Sequence, residues 1–313
     1  MVEKIATRDA YGKALVELGK ENENIVVLDA DLSKSTKTYA FGQEFPERFI
    51  NVGIAEQNLM GVAAGISTTG KIPFASTFAI FATGRAFEII RNSIGYPKLN
   101  VKICATHSGI TVGEDGASHQ AIADISCMRT IPNMTVVVPS DSVETRAAIH
   151  AVSKINGPVY VRLGRLAVPV INDEASYKFE IGKGIILNEG NDVTIIATGL
   201  MVGEALKAAE ELEARGIKAR VINIHTIKPI DKEIIIKAAE ETGAVVTAEE
   251  HNIIGGLGSA VAEVIAENYP VPLRRVGIKD TFGESGKPEE LMKKYGLTSD
   301  DIAEAAINLI NKR

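Results

Sequence analysis

Short apolar runs alternate with helical patterns along the whole chain. Residues 25–30 (IVVLDA), 101–106 (VKICAT), 135–140 (TVVVPS) and 158–164 (PVYVRLG) are apolar on successive positions and rich in β-branched side chains. That pattern predicts strands buried on both faces, as in a parallel sheet. Between them, Ala10, Tyr11, Ala14, Leu15 and Leu18 recur at helical spacing. Residues 56–66 and 85–94 also read as helices. Residues 141–154 follow Ser140, a candidate N-cap, with Glu144 close by. Residues 171–190 are polar, Gly-bearing and mixed in sign, which predicts a linker. A second series follows: strand 193–199, helix 202–215, strand ARVINIH, helix 231–241, strand AVVTAEE, helix 259–267 and strand PLRRVGI. Repeated strand–helix–strand order predicts an α/β chain of two domains, 1–185 and 186–313. Each is expected to be a mainly parallel sheet with helices on both faces.

Composition narrows the class without changing that picture. The chain has 313 residues, 45% hydrophobic and 24% charged, with a net charge of −6. A mildly acidic chain lacking a basic run is a poor nucleic-acid binder. No apolar stretch approaches the length of a membrane span, and residues 1–15 lack the apolar core of a signal peptide. Cys104 and Cys127 form neither a disulfide framework nor a CxxC pair. A reduced, cytoplasmic enzyme is the expectation.

Ligands of open parallel sheets sit beyond the carboxyl ends of the strands. That rule selects loops 29–37, 51–57, 76–81, 106–120 and 164–167. The densest is THSGITVGEDGASHQ, residues 106–120, with His107, Glu114, Asp115, His119 and three glycines. A solvated surface loop and a metal site are open readings. Acid–base chemistry on a hydroxylated substrate suits the histidines best. Glu56 is a lone carboxylate in an apolar, Gly- and Ala-rich segment. It is either a carboxylate favoured by a helix dipole or a buried group poised to share a proton with a ligand. Phe78 and Phe81 are core aromatics or the platform for a flat heteroaromatic ligand. Arg8, Ser33, Ser35, Arg162 and Arg165 together suggest an anionic substrate, since arginine matches phosphate. The glycines of residues 255–260 (GGLGSA) suit helix–strand packing better than anion binding.

The segments IAEQNLMGVAAGI, STFAIF and above all THSGITVGEDGASHQ resemble the thiamine-diphosphate-dependent transketolases. The similarity runs from IATRDAYGKAL to FGESGKPEELMKKYGLTSDDI and covers the family's pyrimidine-binding and C-terminal domains. The family's first domain, which holds the diphosphate and a divalent metal, has no counterpart here. The resemblance therefore implies the C-terminal subunit of a split transketolase, acting with a separate N-terminal subunit. It implies transfer of a two-carbon ketol unit from a ketose phosphate to an aldose phosphate through a carbanion on the cofactor. Thiamine diphosphate is the implied cofactor, with Mg2+ or Ca2+ held mainly by the partner and no metal ligand in this chain. A second copy of the chain and sugar phosphates are the other implied partners. By the same resemblance Glu56 meets the aminopyrimidine nitrogen, Phe81 stacks on that ring beside Phe78, and Asp31 lies in the cofactor region. His107 and His119 contact the sugar and move protons. Asp115 selects hydroxyl configuration, and Arg8, Ser35 and Arg165 grip the phosphate. A third aromatic frequent in the family is replaced by Gly84. The neighbouring alternatives are a β subunit of a 2-oxoacid dehydrogenase and a deoxyxylulose phosphate synthase-like enzyme.

Overall fold

The computed structural model describes residues 3–311. Its strands are, in chain order, β1 (Lys4–Ala6), β2 (Ile25–Asp29), β3 (Phe49–Asn51), β4 (Ile72–Phe78), β5 (Lys102–Thr106), β6 (Thr135–Val137) and β7 (Val159–Arg162). They continue with β8 (Ala167–Pro169), β9 (Ile185–Asn188), β10 (Val193–Ala197), β11 (Ala219–Asn223), β12 (Thr226–Lys228), β13 (Val245–Asn252) and β14 (Leu273–Ile278). A seven-stranded sheet has the order β12-β6-β7-β5-β4-β2-β3, and a five-stranded sheet the order β14-β13-β10-β11-β9. Both are parallel except for β12 and β9, which pair antiparallel at the edges. A short antiparallel ribbon joins β1 to β8.

The apolar runs form strands because both of their faces are covered. All five residues of β2, of β5 and of β10 are buried. The helix Thr7–Glu21 buries Ala10, Tyr11, Ala14, Leu15 and Leu18, the stripe expected from the spacing. Helices Met201–Glu213, Lys232–Thr242 and Leu257–Asn268 cover the second sheet. The two halves share a core: Met128 and Ile131 cluster with Ile227, Ile235, Ala260 and Val261. Strand β12 lies in the second half of the sequence yet completes the first sheet.

Two local expectations are corrected. The N-cap of helix Ser142–Ser153 is Asp141, whose carboxylate accepts the Glu144 N–H, and not Ser140. The Ser140 N–H instead donates to the Glu144 carboxylate at 2.6 Å, so the carboxylates of Asp141 and Glu144 take both amides. Residues 85–94 are not one α-helix. A wide turn over Phe81–Arg85 and another over Ile90–Gly95 flank the single turn Phe87–Ile89. Their i→i+5 bonds include Ala86 N–H to Phe81 O and Tyr96 N–H to Arg91 O. Such bulges re-aim side chains within a helix.

The polar segment 171–190 is tied down at its start and again at Tyr177. Asp141 accepts the N–H groups of Ile171 and Asn172, each at 2.8 Å. Farther along, Tyr177 donates to Glu144, which also accepts from Asn223 of β11 at 2.8 Å. No helix among the described residues is long and apolar enough to cross a membrane.

Candidate functional site

Strands β7, β5, β4, β2 and β3 are adjacent and mutually parallel. The loops that leave their carboxyl ends therefore line one edge of the sheet, the place ligands occupy in such folds.

The loop after β2 is shaped by Asp29, which is fully buried. Its carboxylate accepts the Leu32 N–H at 2.5 Å and the hydroxyls of Thr36 and Thr38 at 2.6 and 2.9 Å. Burial pushes the Asp29 carboxyl up, against the pull of these donors. Asp31 follows at a φ of 65°. Its N–H donates to Asn51 Oδ1 and its carboxylate accepts from Asn51 Nδ2, both at 3.0 Å. Asn51 Oδ1 also takes the Gly53 N–H, so the loops carrying Asp31 and Glu56 are joined.

Glu56 begins helix Glu56–Ser67 and is 2% exposed. It is not alone. Arg85 Nη1 donates to its Oε2 at 2.7 Å, and the same guanidinium lies over the Phe81 ring, 4.8 Å from its centroid. Phe81 and Arg85 stand four positions apart within the wide turn Phe81–Arg85 and share one face of it. Phe78 and Phe81 are stacked, 6.0 Å apart and 13° from parallel.

Phe78 also stacks on His107, centroid to centroid 3.8 Å. His107 is buried, with a positive φ of 57°. Arg8 Nη1 lies 3.0 Å from its Nε2 and 3.1 Å from the Ser35 carbonyl. A guanidinium only donates. His107 Nε2 therefore accepts, and Nδ1 carries the proton and donates to Thr106 Oγ1 at 2.9 Å. Burial, with the charges of Arg8 and Arg165, lowers the imidazole to about 3, so it is neutral. His119 meets the edge of Phe81 at 5.4 Å and its Nδ1 lies 3.0 Å from Ser118 Oγ. Arg165 Nη1 bonds to the Val112 carbonyl and lies 3.5 Å from Glu114 and 3.9 Å from Asp115.

The structure thus gathers Arg8, Ser35, His107, Phe78, Phe81, His119 and Glu56 into one chain of contacts. Arg165 with Asp115 flanks it on the histidine loop. Asp31 is held by Asn51 on the neighbouring loop. Ser35 enters through its carbonyl rather than its hydroxyl. Arg162 does not belong to an anion site. It is 5% exposed, pairs with buried Asp124 at 2.7 Å and donates to the Ala121 and Glu250 carbonyls. The turn at 255–258 is likewise filled from within: Glu249 accepts the N–H groups of Leu257 and Gly258 at 2.7 and 2.8 Å. Arg85 was legible only as the start of a helix, and no sequence signal tied it to Glu56, 29 positions away. Among the described residues no cluster of three His, Cys, Asp or Glu is placed to hold a metal ion. A buried carboxylate beside a partly exposed aromatic face suits a flat, nitrogen-bearing ring, so these residues are compatible with the aminopyrimidine that the sequence resemblance implies.

Residues 3–170 match the family model of the transketolase pyrimidine-binding domain and residues 182–302 that of the transketolase C-terminal domain. A solved structure described as a split gene transketolase, inactive β4 tetramer, is 62% identical. It covers 98% of this chain and 99% of its own, with a TM-score of 0.92. A 6-deoxy-6-sulfo-D-fructose transketolase subunit of Clostridium sp. is 48% identical over 98% of this chain and 95% of its own length. The transketolase of Homo sapiens is 38% identical over 99% of this chain, which spans 50% of that protein. These relatives favour ketol transfer over the dehydrogenase and synthase alternatives.

Proposed function

Because the chain belongs to the transketolase family and corresponds to its C-terminal section, we propose that it completes a split transketolase with a separate N-terminal subunit. The observation that carries this reading is the continuous contact from the buried Glu56, through Phe81 and Phe78, to the His107–Arg8 pair. Thiamine diphosphate, with a divalent metal held mainly by the partner, supplies the nucleophilic carbon and the electron sink that ketol transfer requires.

This chain's residues bind and orient around it. Glu56 offers a desolvated carboxylate to an aminopyrimidine nitrogen and holds the shared proton there. Phe81, backed by Phe78, presents a flat face for the ring. Asp31, tied to the Glu56 loop through Asn51, lies at the margin of that site. His107 and His119 reach the carbonyl and hydroxyl end of the sugar. His107, being neutral, polarises by hydrogen bonding and can accept a proton. Asp115 accepts a sugar hydroxyl and so reads its configuration. Arg8, Ser35 and Arg165 receive the phosphate of the ketose or aldose. Domains 1–185 and 186–313 and a site completed by a partner chain and a second copy are part of this proposal.

Thiamine diphosphate titration by calorimetry tests it. The chain alone should bind weakly in the presence of Mg2+, and the chain assembled with its N-terminal partner tightly. Equal affinity in both states would contradict a shared site.

A further inference from the structure

The histidine loop is held from the second half of the chain. We propose that Glu250, on β13, is the positioning residue that fixes this loop, acting through the Thr111 N–H. Its Oε1 accepts that N–H at 2.7 Å, across 139 positions of sequence. Glu250 is 4% exposed, so water cannot replace the bond. The carboxylate also lies against Gly109, where a Cβ would come within 2.1 Å of the Glu250 carboxyl carbon. Gly109 has a φ of 78° and is the second residue after His107. The Glu250 carbonyl in turn accepts from Arg162, whose guanidinium is anchored on Asp124. One end of the loop is thereby referenced to both sheets.

The other end meets the second half too. A Cβ at Gly116 would lie 2.5 Å from Ser285 Oγ, and Gln120 Nε2 donates to the Glu284 carbonyl at 2.9 Å. The glycines of this loop thus make room for the second half to close on it. Glu250 touches no part of the proposed cofactor site; it acts on His107 and Asp115 only by placing their backbone.

The kinetic part of the test rests on the transketolase reading, and the exchange part does not. In the purified full chain, Glu250→Ala should speed amide hydrogen exchange of residues 107–116 about tenfold or more, by opening the loop locally. Glu250→Gln keeps an acceptor and should exchange like the unmodified chain. In the assembled complex, Glu250→Ala should lower kcat/KM for a ketose phosphate about ten- to hundredfold, the scale of a small misplacement. Thiamine diphosphate affinity should stay within about threefold, since Glu56 and Phe81 lie off the loop. Glu250→Gln should restore kcat/KM. Should Glu250→Ala fail to fold, Thr111→Pro deletes the donor instead, at the start of a 3-10 turn where proline is tolerated. It should reproduce the kinetic loss. Unchanged exchange in Glu250→Ala, a parallel loss of cofactor binding, or wild-type kinetics in Thr111→Pro would each overturn the proposal. Absence of ketol transfer in the unmodified complex would overturn the transketolase reading alone, and the exchange result would still judge Glu250.

Discussion

Arg8 holds His107 in one tautomer and reinforces the burial that keeps it uncharged. The guanidinium donates to Nε2 at 3.0 Å, and its charge adds to burial in lowering the imidazole to about 3. An anion gripping Arg8 and Arg165 would offset two of the cations that depress the ring and free Nε2 for the sugar. Saturating inorganic phosphate should therefore raise the His107 pKa, and Arg8→Gln should raise it without phosphate. Histidine NMR titration reads both. A pKa that moves with neither would break the link between phosphate binding and His107.

Glu56→Gln should leave assembly intact, because the side chain keeps its shape and its contact with Arg85. It should slow deuterium exchange at the reactive carbon of bound thiamine diphosphate by about a hundredfold or more, the usual scale of general acid–base assistance. Near-normal exchange in the assembled variant would remove Glu56 from its proposed role.

Arg85→Ala leaves the Glu56 carboxylate buried without its cation. The pair has one buried and one half-exposed partner, so the loss falls between surface and buried cases, about 1–2 kcal/mol. Urea denaturation of the isolated chain measures it. Saturating thiamine diphosphate in the assembled complex should narrow the difference between variant and parent, because the ring then engages the carboxylate.

Much of the frame was legible because parallel strands covered on both sides must be apolar at successive positions, as in β2, β5 and β10. The candidate site residues came from the resemblance of IAEQNLMGVAAGI, STFAIF and residues 106–120 to a known family; the spacing of Phe78 and Phe81 alone left core and platform readings open. What was not legible depends on long-range pairing. Strand β12 is three residues long and joins a sheet whose other strands end at Arg162. The ribbon of β1 with β8 has no periodic signal of its own. Arg85 and Glu250 gain their meaning only from partners 29 and 139 positions away. Arg162 shows the converse: at a strand end it resembles an anion ligand, yet Asp124 neutralises it.

The linker contact predicts a pH dependence of stability. Burial raises Glu144 to about 7 from an unfolded value of 4.5, and raises Glu250 likewise. The native state then binds more protons than the unfolded state between these values. That stability is full below pH 4.5 and is lost as pH rises through 7. His107 and His225, lowered to about 3 and about 4, contribute stability present above pH 6.5 and lost as pH falls. The two effects oppose each other between pH 4.5 and 6.5; above that range Lys102, lowered to about 7 by burial, regains stability as pH rises and offsets about one of the two carboxyls. Between pH 6 and 8 each carboxyl should cost about 1 kcal/mol. Urea midpoints should fall over that range in the parent chain and fall less in Glu144→Gln. Equal slopes would place the titration elsewhere.

The most direct measurement is a mixing assay for ketol transfer. This chain, its N-terminal partner, thiamine diphosphate and Mg2+ are combined with xylulose 5-phosphate and ribose 5-phosphate, and sedoheptulose 7-phosphate is followed. Product in the complete mixture, and none when either chain or the cofactor is omitted, is the predicted result. Transfer by this chain without the partner, or decarboxylation of pyruvate in place of transfer, would contradict it.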